Sequence, residues 1–295
     1  MGEWLALAAA LCFAFGNVTV ARGGLRGGDD NGAFLSLLLT AGISASGWLV
    51  NSAMHGAEPI TWRGVLWLMA AGVFTGFFGR VFLYASIERL GAMRGSAVKR
   101  LGPFFGVLLG VVVLGEQFVG RAVWGALLIA ASVLVLVQAQ WRSPAGAASR
   151  VVSAGYVYGT LSAAGYALGS LLRKAGMAGA PDPFFGAMVG TLVGAVMFLG
   201  ASGWNEGYRR AIRATFRRPN PWLYAAGTMS SFGQILNFAA LRASPLSTVA
   251  LVMSMEVFFT IGLSLVFLSE RLNWRVALAA VLGVAGTALL VTRPF

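Results

Sequence analysis

The sequence predicts an all-α integral membrane protein in which ten transmembrane helices form two inverted repeats of five helices each. Two observations lead to this fold: an internal duplication relates the halves of the chain, and the composition is too apolar for a surface that faces water. A third observation is the odd number of apolar segments in each half, which predicts that the second half is inserted upside down relative to the first.

The duplication has a constant offset of 154 residues and needs no gap. A segment that begins "FGRVFLYASIERL" at Phe78 corresponds to one that begins "FGQILNFAALRAS" at Phe232. The following pairs are identical: Phe78/Phe232, Gly79/Gly233, Ala85/Ala239, Phe104/Phe258, Phe105/Phe259, Glu116/Glu270, Arg121/Arg275 and Val137/Val291. A duplicated and very apolar chain is typical of a transporter built from two membrane halves.

Composition supports a membrane location and excludes several other classes. Of the 295 residues, 58% are hydrophobic and 11% are charged, whereas a soluble domain carries about 25% charged residues. Cys12 and His55 are the only residues of their types, so neither an intramolecular disulfide nor a cysteine–histidine metal site is expected. The net charge of +12 comes from basic residues scattered between apolar runs, which indicates anchoring at the membrane interface and not nucleic-acid binding.

The apolar runs define ten predicted spans and a linker. A bilayer core of about 30 Å requires roughly 20 apolar residues per helix. The predicted spans are 4–22, 32–54, 62–84, 93–114, 120–139, 153–173, 183–203, 221–242, 246–268 and 273–292. The repeats are therefore expected at 1–140 and 153–295, with 141–152 as the linker.

Basic residues outside the spans bear on orientation. The segment "WNEGYRRAIRATFRR" (204–218) mixes five arginines with apolar residues, which favours an amphipathic helix on the headgroups over a solvated loop. If the termini were cytoplasmic, six basic loop residues, Arg173 among them, would lie inside and thirteen outside. The positive-inside rule therefore favours termini on the outer side.

The two repeated segments resemble EamA-type permeases of the drug/metabolite transporter superfamily. The residues that carry the resemblance are "RLGAMRGSAVKRLGPFFGVLLGVVVLGEQ" (89–117) and "RASPLSTVALVMSMEVFFTIGLSLVFLSERL" (242–272), whose Glu116 and Glu270 end the fourth and ninth helices. The resemblance implies ten helices in a bacterial inner membrane, usually with cytoplasmic termini, and secondary transport, often export, of amino acids and other metabolites. Val257 replaces the family proline that stands at Pro103, so the ninth helix is expected to lack a kink.

Ionisable residues inside spans are costly, and each is a functional candidate. Glu256 lies in the middle of the ninth span, and Lys99 and Arg100 lie in the fourth. Arg80 lies near the end of the third span, where snorkelling to the interface is an equal alternative. The repeat aligns Glu256 with Gly102, which predicts a midplane cavity with cations on one wall and an acid on the other.

Uncharged polar residues are expected to complete this cavity. The candidates are Asn17 in the first span, Tyr84 in the third, and Gln234 and Asn237 in the eighth. Gln234 aligns with Arg80, so both halves contribute a polar wall.

Glycines at four-residue spacing predict close helix packing. They form stripes in the fourth span, Gly102, Gly106 and Gly110, and in the seventh span, Gly186, Gly190 and Gly194. Shorter stripes occur at Gly72 and Gly76 and at Gly165 and Gly169.

These features favour an exporter of small metabolites that works by alternating access around the cavity, with amino acids, including those with aromatic or other apolar side chains, as the first expectation. An organic-anion or phosphorylated-metabolite carrier is the alternative, favoured by Arg80, Lys99 and Arg100. An intramembrane enzyme is disfavoured because no catalytic pair accompanies Glu256, and a scaffold is disfavoured by the repeat with its midplane polar groups.

The expected partners are a small-molecule substrate, the lipid bilayer and, as one option, a coupling proton. No cofactor and no nucleic acid are expected, and the chain should act as a monomer or a weak dimer.

Overall fold

A computed structural model describes residues 1–24, 32–91, 95, 98, 101–114, 120, 123–125, 127–128, 131–132, 134–135, 150–217, 219–267 and 274–291. Within this part of the chain all regular structure is helical, as the composition predicts. The helices are α1 (Gly2–Gly24), α2 (Ala33–His55), α3 (Trp62–Ala71), a π-helical segment (Gly72–Gly79), α4 (Arg80–Leu90), α5 (Leu101–Leu114), α6 (Arg150–Met177), α7 (Pro183–Trp204), α8 (Glu206–Arg217), α9 (Pro221–Ala243), α10 (Leu246–Met253), α11 (Glu256–Phe267) and α12 (Trp274–Val291).

Four of the described helices are long and apolar enough to cross a bilayer. They cover Gly2–Gly23, Ala33–His55, Trp62–Leu90 and Pro183–Trp204. The helices α6 and α9 have comparable lengths of 28 and 23 residues but more polar sequences. Since part of the predicted fourth span and half of the predicted fifth lie outside the described residues, the count of ten spans stays a prediction.

The ninth predicted span, 246–268, differs from expectation. It is broken in two at Ser254 and Met255, although it has no proline, so the expectation of an unkinked helix is wrong. The amide of Met255 bonds to the carbonyl of Val252 at 3.0 Å, and the Ser254 hydroxyl donates to the Ala250 carbonyl at 3.3 Å. This local polar alternative to helical hydrogen bonding favours the break. The break makes Glu256 the first residue of α11, where the helix dipole stabilises a negative charge.

Loop contacts identify the two ends of the bundle. At one end Glu58 pairs with Arg242 at 2.9 Å, and the amide of Thr61 donates to the Gly179 carbonyl at 2.8 Å. At the other end Asn220 donates to the Gly23 carbonyl at 3.2 Å. It follows that α1 runs antiparallel to α9, and the continuous helix Trp62–Leu90 runs antiparallel to α6.

Most of the large packing contacts join one half of the chain to the other. α1 packs against α9 and α11, α2 against α7, and the π-helical segment and α4 against α6. Where the π-helical segment crosses α7, a Cβ at Gly76 would lie 2.5 Å from the Gly190 carbonyl oxygen, and one at Gly194 would lie 2.7 Å from Gly76. Only glycine fits such a crossing without a shift of backbone.

The arginine-rich segment between α7 and α9 is the helix α8. Ala211 and Thr215 are its buried residues, and the Tyr208 ring stacks on Phe77 and meets Phe198 edge-on, with ring centroids 6.0 and 4.7 Å apart. One face of α8 therefore packs on the bundle, while Arg210, Arg213 and Arg217 point to the exterior. This arrangement fits a helix that lies at the membrane surface.

Candidate functional site

A cavity of about 120 Å³ lies between α1, α5, α6, α9, α10 and α11. Its lining is mostly apolar. The lining residues are Phe13, Gly102, Gly106, Tyr166, Ala167, Ser170, Arg173, Gln234, Asn237, Leu241, Leu246, Val249, Ala250, Met253, Ser254 and Glu256. A water molecule takes about 30 Å³ in the liquid, so this volume equals that of roughly four water molecules. The cavity therefore suits a small metabolite.

Arg173, on α6, is the cationic group of the cavity. Its side chain is only 3% exposed, and one terminal nitrogen reaches the Gln234 and Asn237 side-chain oxygens at 3.4 Å each. Both distances exceed the usual 2.7–3.2 Å range. The Nε atom is buried without a hydrogen-bond partner, and the guanidinium lies 4.7 Å from the centre of the Phe238 ring.

Arg173 is therefore built to receive an anion. No carboxylate of the described residues lies within ion-pairing distance of it. A buried charge whose partners are two long contacts to neutral amides and one aromatic ring is costly. A ligand carboxylate entering the cavity would supply the missing charge and short, charge-assisted hydrogen bonds.

Glu256 is the acidic group of the cavity. It is 5% exposed, and its Oε1 atom accepts a hydrogen bond of 2.7 Å from the Asn17 side-chain amide of α1. The break before α11 brings this carboxylate to the cavity wall together with Met253 and Ser254. A fixed carboxylate in an apolar cavity is a receptor for an amine or a proton.

The structure brings together some of the predicted site residues and separates others. Glu256, Gln234 and Asn237 line the cavity, and Asn17 holds Glu256 from behind. Lys99 and Arg100, predicted as the cationic wall, lie outside the described residues. Tyr84 is buried away from the cavity lining, with its hydroxyl 3.3 Å from that of Ser230.

Arg80 also lies away from the cavity lining. It is 3% exposed and donates to the hydroxyls of Ser36 and Thr40 on α2 at 2.9 and 3.3 Å. Snorkelling to the interface, the alternative for this residue, is therefore wrong.

The glycine stripe of α5 has a different environment from that of α7. A Cβ at Gly102 or Gly106 would meet its nearest neighbour among the described residues at 3.9 Å, an ordinary van der Waals contact. Both residues line the cavity. These two glycines therefore leave room inside the described part of the bundle, and the close packing expected from their spacing stays a prediction.

Arg173 is a cation of the cavity lining that the apolar runs of the sequence place in a loop. In the structure α6 continues to Met177, and the neighbouring Lys174 is the residue at the helix end, where it donates to the carbonyls of Leu241 and Ser244. A usable signal was present. Tyr166, Ser170 and Arg173 recur at intervals of three and four residues, so they share one helix face.

Comparison with known proteins identifies the family. The EamA-like transporter family model matches the chain twice, over residues 1–138 and 153–292. The chain belongs to the EamA-like transporter family. Membership confirms the resemblance to EamA-type permeases of the drug/metabolite transporter superfamily, and it implies a multi-pass membrane transporter and not an enzyme.

The fold of this EamA-like transporter is also found among solved structures. One crystal structure of a protein matches with a TM-score of 0.63 at 16% sequence identity, over 98% of this chain and 95% of that one. At this identity the likeness shows the fold alone. A search of curated protein sequences gives no match.

Proposed function

We propose that this transporter exports amino acids with apolar side chains, and that it binds them between Arg173 and Glu256. The observation that carries the proposal is the presence of a guanidinium and a carboxylate, both nearly fully buried, in the lining of one small cavity. The two groups do not form an ion pair with each other, and they present opposite charges to the same cavity, which is the pattern that a zwitterion requires.

The rest of the cavity favours the same ligand. Leu241, Leu246 and Val249 offer apolar surface for a side chain. The volume of about 120 Å³ restricts the ligand to a small molecule. A substrate carboxylate would bind Arg173 and displace its long contacts to Gln234 and Asn237, while the amine would bind Glu256, which Asn17 holds in place.

We propose that ten spans form two inverted repeats, 1–140 and 153–295, joined by 141–152. The support is the direction of the helices: α1 and α9 run antiparallel, and the helix Trp62–Leu90 and α6 also run antiparallel. The offset of 154 residues makes α1 equivalent to α6, and the helix Trp62–Leu90 equivalent to α9. The loop contacts place the C-terminal ends of α1 and α6 on opposite sides of the bundle. Each helix therefore runs in the opposite direction to its repeat equivalent. Such repeats support alternating access. A proton gradient across a bacterial inner membrane would drive export by a monomer.

An organic-anion or phosphorylated-metabolite carrier is the second candidate. It is favoured by the charge of Arg173, which no described carboxylate balances. This alternative predicts that Glu256 contributes nothing to binding. Succinate and phosphoenolpyruvate are suitable test anions.

The testing experiment is exchange of radiolabelled L-leucine by the purified protein in proteoliposomes, after a screen of the other common amino acids. A charged hydrogen bond contributes about 1.5–3 kcal/mol, and 1.4 kcal/mol corresponds to roughly tenfold. We therefore expect Arg173→Met and Glu256→Gln each to slow exchange at least about tenfold. Arg213→Met and Glu206→Gln, which change exposed charges on α8, serve as matched controls and should exchange like wild type.

Exchange of no amino acid by the wild-type protein would contradict the proposal. Exchange of succinate or phosphoenolpyruvate that is insensitive to Glu256→Gln would favour the anion carrier.

A further inference from the structure

Arg80 is a second buried arginine, and it takes no part in the proposed binding of substrate because it does not line the cavity. Its described partners, Ser36 and Thr40 of α2, are neutral hydroxyls that both contact a single terminal nitrogen. Among the described residues no carboxylate pairs with it. An arginine this deep in a membrane bundle is retained where it has an ionic function, so Arg80 is a candidate to receive an anionic group.

The repeat indicates where that anion comes from. Arg80 is the equivalent of Gln234 at the offset of 154 residues, and Gln234 lines the cavity beside Arg173. The helix that carries Arg80 packs on α6, and α9, which carries Gln234, packs on α1. In a conformation with the roles of the two repeats exchanged, the position of Arg80 would line the cavity.

The backbone before Arg80 provides a joint for such an exchange. The π-helical segment Gly72–Gly79 ends directly before Arg80, and π-helical turns are rare and concentrate at functional sites. Removal of the extra residue of a π turn rotates the helix that follows by about one residue, ~100°. Arg80 would then take the direction of a neighbouring residue.

One neighbour already faces the cavity wall. A Cβ at Gly79 would lie 3.2 Å from the ring of Tyr166, which lines the cavity. The hydroxyl of Ser162, also on α6, donates to the Gly79 carbonyl at 2.7 Å and so satisfies a backbone acceptor in the π-helical segment. A rotation that brought Arg80 to the side of Gly79 would direct the guanidinium towards the bound substrate.

We propose that Arg80 is a second carboxylate-binding site, which takes the substrate carboxylate from Arg173 in the other conformation of the transporter, with the π-helical segment as the moving joint. The hydroxyls of Ser36 and Thr40 hold the guanidinium while the site is not in use. This inference rests on the proposed function, since it assumes a substrate with a carboxylate in the cavity.

The test separates binding from translocation. Binding of radiolabelled L-leucine to purified protein and its exchange in proteoliposomes are measured for wild type, Arg80→Met and Arg173→Met. Arg89→Met, on the same helix, is the control. We expect Arg80→Met to bind leucine within about twofold of wild type but to exchange it at least tenfold more slowly, whereas Arg173→Met loses binding. Arg80→Lys, which keeps the charge, should recover part of the exchange.

Each result decides between the two proposals. Wild-type exchange by Arg80→Met, or equal losses of binding and exchange, would overturn the role of Arg80 and leave the proposed function intact. Wild-type binding and exchange by Arg173→Met would overturn the proposed function, and this inference with it.

A second measurement needs no variant. Hydrogen exchange of wild-type protein is followed with and without L-leucine, and the amides of Gly79 and Arg80 should change their rates at least tenfold on binding, while those of the buried crossing at Gly190 and Gly194 stay constant. A leucine-bound protein with unchanged exchange at Gly79 and Arg80 would rule out the moving joint.

Discussion

The side-chain amide of Asn17 donates a hydrogen bond of 2.7 Å to the carboxylate of Glu256, and this bond joins α1 to the first residue of α11. The carboxylate is held at the break between two short helices, next to the cavity residues Met253 and Ser254. Since Asn17 lies outside the cavity lining, we propose that it acts on substrate by fixing the orientation of Glu256.

Asn17→Leu should slow L-leucine exchange about tenfold, because loss of a hydrogen bond to a charged group removes about 1.5–3 kcal/mol. If Asn17 acts only through Glu256, the double variant Asn17→Leu with Glu256→Gln should be no slower than Glu256→Gln alone. Exchange rates in proteoliposomes measure this coupling. Fully additive losses would show that Asn17 has an independent role.

Glu256→Gln keeps the size of the side chain and removes its charge, so the protein should insert and fold while transport falls at least about tenfold. We expect both leucine exchange and proton-driven leucine efflux to fail, because the amine of the substrate loses its partner. Parallel assays with and without an imposed pH gradient measure the two activities. Intact exchange with abolished gradient-driven efflux would instead assign Glu256 to the coupling proton.

The two glycine stripes should respond differently to the same substitution. Gly194→Ala places a Cβ 2.7 Å from Gly76, whereas Gly106→Ala places one no closer than 3.9 Å to its neighbours. Overpacking costs about 1–3 kcal/mol, so Gly194→Ala should lower the thermal unfolding midpoint, and Gly106→Ala should leave it unchanged. Equal midpoints for the two variants would contradict the described helix crossing.

Gly106→Leu should fill part of the cavity and weaken leucine binding without a loss of folded protein. Gly106→Ala is the matched control, since a single methyl group fits the space. Binding by scintillation proximity and folding by size-exclusion chromatography give the two readouts. Wild-type affinity in Gly106→Leu would place the substrate elsewhere.

Topology can be tested with single cysteines in a Cys12→Ser background. Ala57 and Ala178 lie in loops at the same end of the bundle, next to the contact between Thr61 and Gly179, while Gly207 lies beyond the opposite end of α7. Ala57→Cys and Ala178→Cys should therefore react with an impermeant maleimide from one side of the membrane and Gly207→Cys from the other. Any other pattern would contradict the inverted arrangement.

Much of this architecture follows from the sequence because lipid imposes simple rules. Apolar runs of span length predict the helices, and a gap-free repeat predicts which segments of the two halves are equivalent. The cost of polar groups in lipid points to Glu256, Gln234 and Asn237, all of which line the cavity.

Other features depend on contacts between residues far apart in the chain, which a local sequence pattern does not predict. The bond between Asn17 and Glu256 joins residues 239 positions apart, and the repeat register does not pair them. The break at Ser254 has no proline signal, and Arg173 resembles a loop cation because it lies only four residues before the helix end at Met177. Arg173 is buried and its neighbour Lys174 is only partly buried, and the sequence alone does not show this difference.

The most direct test of the account is a calorimetric comparison of three ligands with three proteins. L-leucine carries both charged groups, isocaproate lacks the amine, and isoamylamine lacks the carboxylate. We predict that wild type binds leucine at least about tenfold more tightly than either analogue. Arg173→Met should bind leucine and isoamylamine with equal affinity, and Glu256→Gln should bind leucine and isocaproate with equal affinity. If wild type binds isocaproate as tightly as leucine, and Glu256→Gln has no effect, the cavity does not recognise an amino acid and the central claim is wrong.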